Sequence, residues 1–248
     1  MLKQERLSTI LNELHKRGVV SYAELSAVIT ASEDTVRRDI KELDSQGLLK
    51  AVRGGATTLS KIPHHYRQRE IRDIEEKKII ARKALSLIKH NQLLFFDGGT
   101  SALELAKILP QDLRATIITN SFPVANVLED HPTCELLFLG GRLSKTAFAT
   151  YGNETLLNIQ KFRADYYFFG VSSITPEELY CKDLEDAEMK REIIANSTNT
   201  IGLCTSDKLN STDNYYVTKT KSLHMLITEC DPDSAMLEHY STIGVEVR

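Results

Sequence analysis

Apolar positions in the first fifty residues recur at helical spacing. Leu7, Ile10, Leu11 and Leu14 make one stripe and Gly18 follows it, so a first helix is predicted from Gln4 to Arg17. Ser21, Tyr22, Ala23 and Glu24 read as a capping box, in which hydroxyl and carboxylate each satisfy a free amide at a helix start. A second helix is predicted from there, with Leu25 and Val28 buried, before Ile29, Thr30 and Ala31 turn the chain. Ser32 caps a third helix. Glu33 and Asp34 sit at the positive end of its dipole, Val36, Ile40 and Leu43 fall at i, i+4, i+7, and Gly47 supplies a left-handed stop.

The remaining faces of the third helix carry Thr35, Arg37, Arg38 and Lys41. Taken alone, an ordinary solvated amphipathic helix has the same pattern. Its neighbours argue for more. Two helices joined by a short turn, the second with outward cations, make a helix-turn-helix. Two strand-like runs between Leu48 and Thr58 then flank Arg53, Gly54 and Gly55, which fits a hairpin and hence a wing. The candidate DNA contacts are Ser32, Thr35, Arg37, Arg38 and Lys41 on the helix and Lys50 and Arg53 on the hairpin. Arginine and lysine suit guanine edges or phosphate, and threonine suits phosphate or a thymine methyl.

Downstream the period changes. Residues 59–75 are polar and charged, contain Pro63, and read as a linker. His64 and His65 there read as solvated residues rather than ligands. A helix opens at Glu76, Lys77 and Lys78, with Ile79, Ile80, Ala84, Leu85, Leu87 and Ile88 as its buried residues. Short apolar runs then alternate with helical segments. Strands are expected at 93–96, 116–119, 135–139, 166–169, 200–204, 223–228 and 245–247, and helices after Thr100 and at 123–128, 153–159, 184–195 and 234–240. Near-continuous apolar strands between helices argue for a mostly parallel sheet covered on both faces. The fold class is α/β: an N-terminal winged helix-turn-helix over residues 1–58, the linker, and an α/β effector-sensing and oligomerisation domain over 76–248.

Composition narrows the function classes. The chain has 248 residues, 42% hydrophobic and 26% charged, as expected of a globular protein. No apolar run approaches the ~20 residues that span a bilayer, and the N-terminus lacks the apolar core of a signal peptide. The expectation is a cytoplasmic protein with no membrane partner. Cys134, Cys181, Cys204 and Cys230 are far apart and read as reduced thiols, and the seven histidines show no ligand spacing, so no metal or cofactor is expected. The net charge of −3 hides an asymmetry. Residues 1–61 hold ten Lys/Arg against eight Asp/Glu, and the remainder holds 21 against 26. Any DNA contact therefore belongs to the N-terminal part.

Small and polar residues gather immediately after the expected strands: Asp97 to Ser101, Thr119 to Ser121, Gly140 and Gly141, Gly170 to Ser173, and Ser206 to Lys208. Ligands bind beyond the carboxyl ends of strands in open α/β sheets. Gly98, Gly99, Thr100 and Ser101 are the sharpest group. Two glycines admit a close ligand, two hydroxyls can donate, and a helix N-terminus points there, which makes an anion site. It is neither a Walker loop nor a dinucleotide fingerprint. A tight strand-to-helix turn would use the same residues, and Lys208 alone would pass as a surface lysine.

Residues 1–58 resemble the DNA-binding domain of the DeoR family of bacterial transcription regulators. The resemblance lies in Arg6, Ile10, Ser21 to Leu25, the Thr35 to Ile40 core of the third helix, and Leu48 to Gly55. Residues 73–248 resemble the effector domain of the same family, which is related in fold to ribose-5-phosphate isomerase and in many members binds a phosphorylated sugar. On that resemblance the effector-binding residues are Asp97, Gly98, Gly99, Thr100, Ser101, Thr119, Asn120, Gly140, Gly141 and Lys208. A family helix pattern also maps onto Glu185 to Arg191, including Glu188 and Lys190. Two positions depart from the family: Ser172 where an aspartate is frequent, and Asp207 where a serine is usual. A carboxylate beside Lys208 repels a phosphate unless it points away or is paired. The resemblance implies a DNA-binding repressor of a carbohydrate-utilisation operon, not an enzyme, acting as a dimer or tetramer and modulated by a phosphorylated sugar or sugar acid. The alternative is a sugar-phosphate isomerase-like enzyme with an appended DNA-binding module, with Asp97, Glu185 and Glu188 as candidate bases.

Overall fold

Three helices and a hairpin close the N-terminal part because each has one narrow apolar face. Helices α1 (Lys3–Arg17), α2 (Tyr22–Ile29) and α3 (Glu33–Ser45) bury Ile10, Leu14, Leu25, Ile29, Val36, Ile40 and Leu43 together with Leu49 and Ala56. The structure is a computed structural model that describes residues 2–46, 48–59 and 65–248. Gly47 and the 60–64 part of the expected linker, with His64, lie outside the described residues. The capping box forms: the Glu24 amide donates to Ser21 Oγ at 3.2 Å and the Ser21 amide to Glu24 Oε2 at 2.8 Å. Val28 is exposed, contrary to expectation, because the buried stripe of α2 runs from Leu25 to Ile29 at i, i+4. Asp39 is buried on α3 and takes two bonds from the Arg6 guanidinium, at 2.7 and 3.1 Å. That ties α1 to α3 and gives the Arg6 of the sequence motif its structural purpose.

Strand β1 (Val19–Ser21) and the hairpin strands β2 (Lys50–Val52) and β3 (Gly55–Leu59) form one antiparallel sheet with β3 in the centre. The hairpin turns at Arg53 and Gly54, where Gly54 holds φ +90°, a conformation side chains resist. The expected wing is therefore present.

Helix α4 (Tyr66–Glu70) lies within the stretch expected to be linker, with Tyr66 buried against Phe148, ring centroids 5.7 Å apart. Helix α5 (Ile74–Leu85) follows. It buries Lys77, Ile80, Ala81 and Ala84; of the residues expected inside, Ile79, Leu85, Leu87 and Ile88 are only half-buried. Next come β4 (Leu93–Phe96), α6 (Thr100–Lys107), β5 (Thr116–Thr119), α7 (Phe122–Leu128) and β6 (Glu135–Phe138). A hairpin of β7 (Arg142–Ser144) and β8 (Ala149–Tyr151) leads to α8 (Asn153–Ile159) and β9 (Ala164–Gly170). Strands β10 (Ser173–Ile174) and β11 (Glu178–Cys181), helix α9 (Leu184–Ala195), and strands β12 (Ser197–Leu203), β13 (Ser211–Thr212) and β14 (Tyr215–Lys219) come next. Strand β15 (Met225–Ile227), helix α10 (Glu238–Thr242) and strand β16 (Glu246–Val247) close the chain. Helix α10 begins four residues later than its sequence pattern suggests.

Seven of these strands form one parallel sheet in the order β16-β15-β12-β9-β4-β5-β6. The α/β class with a mostly parallel sheet is as expected. Alternate residues of β9 serve opposite cores: Tyr167 and Phe169 on one face, Phe168 on the other. Burial on both faces is why its sequence reads as one apolar run. Chain order reverses between β4 and β9, since β5 and β6 build outward from β4 whereas β12, β15 and β16 build outward from β9. Their carboxyl ends open a crevice at that switch point.

Candidate functional site

The two strand ends at the switch point meet backbone to backbone. A Cβ placed on Gly99 would sit 2.9 Å from the Gly170 Cα, so Gly99 has no room for a side chain, and one on Gly170 would press on the Gly99 Cα at 3.1 Å. Asp97 clamps them. Its buried Oδ1 accepts from the Gly99 amide at 2.8 Å and the Gly170 amide at 3.1 Å, and its Oδ2 lies 3.2 Å from Lys190 Nζ. Lys190 also pairs with Asp186, both oxygens at 2.7 Å. Burial works against the Lys190 charge, but Asp186 and Asp97 outweigh it and hold the ammonium above its ordinary range. Asp97 thus forms the floor of the site. Glu188 is exposed and Glu185 pairs with Arg142, so the acid that α9 turns toward the crevice is Asp186.

Above this floor lies a cleft in two adjoining parts that share Arg69, Gly99, Gly170 and Ser172. One part is cationic: Arg69, Arg72, Lys77 and Lys208 line it, with Asp73, around the Thr100 and Ser101 start of α6. Burial, reinforced by neighbouring Lys208, lowers Lys77 to about 8, and burial lowers Lys208 as well. Two buried ammonium groups at a helix N-terminus favour a bound anion. The Ser101 hydroxyl and Arg69 Nε are buried with no hydrogen-bond partner in the protein. The other part is mixed, lined by Tyr151, Ser172, Lys182, Asp183, Asp186 and Lys190, where carboxylates and hydroxyls can bond to ligand hydroxyls.

Of the residues expected to hold an effector, Gly98, Gly99, Thr100, Ser101 and Lys208 line this cleft. Thr119, Asn120, Gly140 and Gly141 do not. Thr119 Oγ1 donates to the Phe96 carbonyl at 2.6 Å, Asn120 Nδ2 to the Thr150 carbonyl at 2.9 Å, and Gly140 accepts from Thr155 Oγ1 at 2.7 Å. These bonds tie β5 to β4, Asn120 to strand β8, and the end of β6 to α8, all beside the cleft. Sequence reasoning missed Arg69, Arg72 and Lys77, because they lie in a stretch read as linker and on a helix read for its apolar face. The Asp207 carboxylate turns from Lys208 to Arg72 Nη2 at 2.7 Å and accepts from Thr205 Oγ1 at 2.7 Å.

The N-terminal candidates occupy a different surface. Ser32 Oγ accepts from the Thr35 amide at 3.3 Å and shares a bond with the Thr35 hydroxyl. Arg37, Arg38 and Lys41 are exposed on α3; Arg37 lies over the Tyr22 ring at 5.3 Å, and Arg38 Nε donates to the Asp34 carbonyl. Lys50 and Arg53 lie on the hairpin along a cleft whose far wall includes Glu177, Glu178 and Asp213.

The chain, a helix-turn-helix with a wing joined to a sheet whose switch point carries a cationic cleft, matches two family models. Residues 6–61 match the DeoR-like helix-turn-helix domain, and residues 72–230 match the DeoR C terminal sensor domain. The chain belongs to the DeoR family of transcription regulators. Among its relatives, the HTH-type transcriptional repressor GlcR of Bacillus subtilis is 31% identical, covering all of this chain and 96% of that one. The HTH-type transcriptional regulator GolR of Listeria innocua is 29% identical over all of this chain and 99% of its own. The lactose phosphotransferase system repressor of Staphylococcus aureus is 31% identical over 79% of this chain and 80% of its own. A solved structure of D-ribose-5-phosphate isomerase in complex with phospho-erythronic acid superposes with a TM-score of 0.41 at 17% identity, over 55% of this chain and 54% of that one.

This DeoR-family chain is a DNA-binding regulator with a sensor domain. Among the described residues, no group of His, Cys, Asp and Glu is placed to hold a metal, and no helix is long and apolar enough to cross a membrane.

Proposed function

We propose that this protein is a cytoplasmic repressor of a carbohydrate-utilisation operon whose grip on DNA is set by a phosphorylated sugar or sugar acid. In this reading α3 enters the major groove, with Arg37, Arg38 and Lys41 reaching bases or phosphates and Thr35 and Ser32 at its leading end. Lys50 and Arg53 on the hairpin contact the backbone. The ligand's phosphate sits in the cationic part of the cleft, against Thr100, Ser101, Lys77 and Lys208, and its hydroxyls face Asp183, Asp186 and Tyr151. Residues 1–58 and 76–248 act as the reading and sensing units, and the protein works as a dimer or tetramer on repeated half-sites.

The observation that carries the effector reading is the pair of buried lysines, Lys77 and Lys208, beside the unpartnered Ser101 hydroxyl at a helix start. Lys77 Nζ donates to the Arg69 and Arg72 carbonyls, which are neutral acceptors, and buried charge is costly unless paired, so a phosphate would supply the missing counter-charge. The relatives named as sugar-system repressors support the same class of signal. A thermal-shift screen of phosphorylated sugars and sugar acids tests it. A ligand at a hundredfold excess over Kd stabilises by ~2.7 kcal/mol, a readily measured shift. Absence of a shift with every phosphorylated compound would overturn the effector reading.

A further inference from the structure

One short stretch of chain touches both the cleft and the wing. It begins as the helical turn Ser206–Lys208, passes through Asn210 in the left-handed conformation at φ +53°, and becomes β13. Strand β13 pairs in parallel with the end of the wing strand β3, Ser211 opposite Thr58 and Thr212 opposite Leu59. The Asn210 carbonyl accepts from Thr57 Oγ1 at 2.8 Å and from Thr58 Oγ1 at 3.1 Å. Asn210 is held from the other side by the Tyr240 hydroxyl, which takes its amide and bonds its Oδ1, each at 3.2 Å. Gly18, at the end of α1, has no room for a side chain against Asn210. The DNA-binding domain is thus docked on residues 210–212, two residues beyond the cleft's Lys208. Ser211 Oγ donates to the Lys208 carbonyl at 2.7 Å and links the two functions directly.

The same stretch is tied a second time. Arg72 bonds Asp207 at 2.7 Å and Asp73 at 2.9 Å. Arg72 lines the cationic part of the cleft, and Asp207, held by Thr205, lies at the start of the helical turn that carries Lys208. A ligand anion and Asp207 therefore compete for one guanidinium. We propose that Asp207 is an internal counter-anion, that a bound phosphate takes Arg72 from it, and that the release moves the 206–212 stretch and with it the docking of the wing. This coupling rests on the effector site proposed for the cleft. A ligand acts at a distance only by favouring one of two arrangements, and the β3–β13 seam supplies an element that is either docked or released.

The test uses the full-length protein with inorganic phosphate as the probe. Phosphate binding is followed by titration calorimetry, and the docking by hydrogen exchange of the amides of residues 56–59. Phosphate is expected to bind and to change exchange at these amides. Asp207→Asn keeps the shape but removes the competing charge. It is expected to bind phosphate about fivefold tighter or more, in the usual range of coupling between sites, and to show the phosphate-bound exchange pattern without phosphate. A Thr58→Cys and Ser211→Cys double variant, oxidised to lock the seam, is expected to bind phosphate while its DNA affinity no longer responds, and to regain the response on reduction. Phosphate binding with unchanged exchange at 56–59, or no gain in affinity for Asp207→Asn, would overturn the coupling while leaving the effector site intact. No phosphate binding by the unsubstituted protein would overturn the effector site, and the coupling with it.

Discussion

Helix α3 presents Arg37, Arg38 and Lys41 within one run of five residues, all open to water. The cleft gathers Arg69, Arg72, Lys77 and Lys208 from α4, the loop after it, α5 and the turn after β12, with both lysines buried. The same residue types thus mean different things. A solvated cation costs nothing to leave unpaired, so the α3 face gains its meaning from the helix-turn-helix and wing around it. A buried ammonium carries a standing cost that a counter-ion relieves, so the proposal of an anion rests on the cleft's own geometry. One site shows all its cations together in sequence; the other shows Gly98 to Ser101 and Lys208 there, and gains Arg69, Arg72 and Lys77 only from the fold.

Substitutions should separate the two regions, and the largest effect belongs to α3. Arg37→Ala with Arg38→Ala is expected to cost about 2–6 kcal/mol of binding to the DNA upstream of the protein's own gene, as the loss of two base or phosphate contacts. Fluorescence anisotropy measures it, and phosphate affinity should stay unchanged. An unaltered DNA affinity would remove α3 from the interface. Next, Arg6→Ala leaves the buried Asp39 without its ion-pair partner. It should lower the melting temperature of the N-terminal domain more than any single change at Arg37, Arg38 or Lys41, as read by calorimetry.

In the cleft, Lys208→Ala should weaken a phosphorylated ligand by about 1.5–3 kcal/mol, the worth of a charged hydrogen bond, with DNA affinity of the ligand-free protein retained. The pH dependence has a definite sign. Lys77, lowered to about 8, is charged below that value and loses its proton as pH rises through it. Affinity for a phosphate monoester should therefore fall above pH 8, by about tenfold per unit at most, and titration calorimetry from pH 7 to 9.5 would show it. The smallest effect is expected of Ser101→Ala, which removes one neutral donor worth about 0.5–1.5 kcal/mol.

How much was legible follows from locality. The winged helix was readable because its signals are contiguous: the Ser21 capping box, the Ser32 cap, the α3 stripe and the Arg53–Gly54 turn each sit within a few residues. The main parallel strands were readable because burial on both faces leaves an apolar run, as in β9. The short strands β10, β11, β13 and β14 were not, since two to five polar-rich residues acquire strand character only from partners far along the chain. In the cleft, Gly98 to Ser101 follow a strand and could be read. Arg69, Arg72 and Lys77 could not, because nothing in a polar stretch says that the fold carries it over a strand end. Asp97 looked like a ligand contact and proves to clamp Gly99 and Gly170; Thr119 and Asn120 hold neighbouring backbone, as hydroxyls and amides at strand ends also do.

The most direct measurement is operator binding by the full-length protein, titrated with phosphorylated sugars and sugar acids, for the unsubstituted chain and for Lys208→Ala side by side. At least one compound should change the DNA affinity of the unsubstituted protein by about 5–150-fold, the usual span of coupling between two sites, and leave Lys208→Ala unmoved at the same concentration. DNA affinity indifferent to every phosphorylated compound, or equally responsive in both proteins, would contradict a cleft that senses an anion on behalf of the DNA-binding helix.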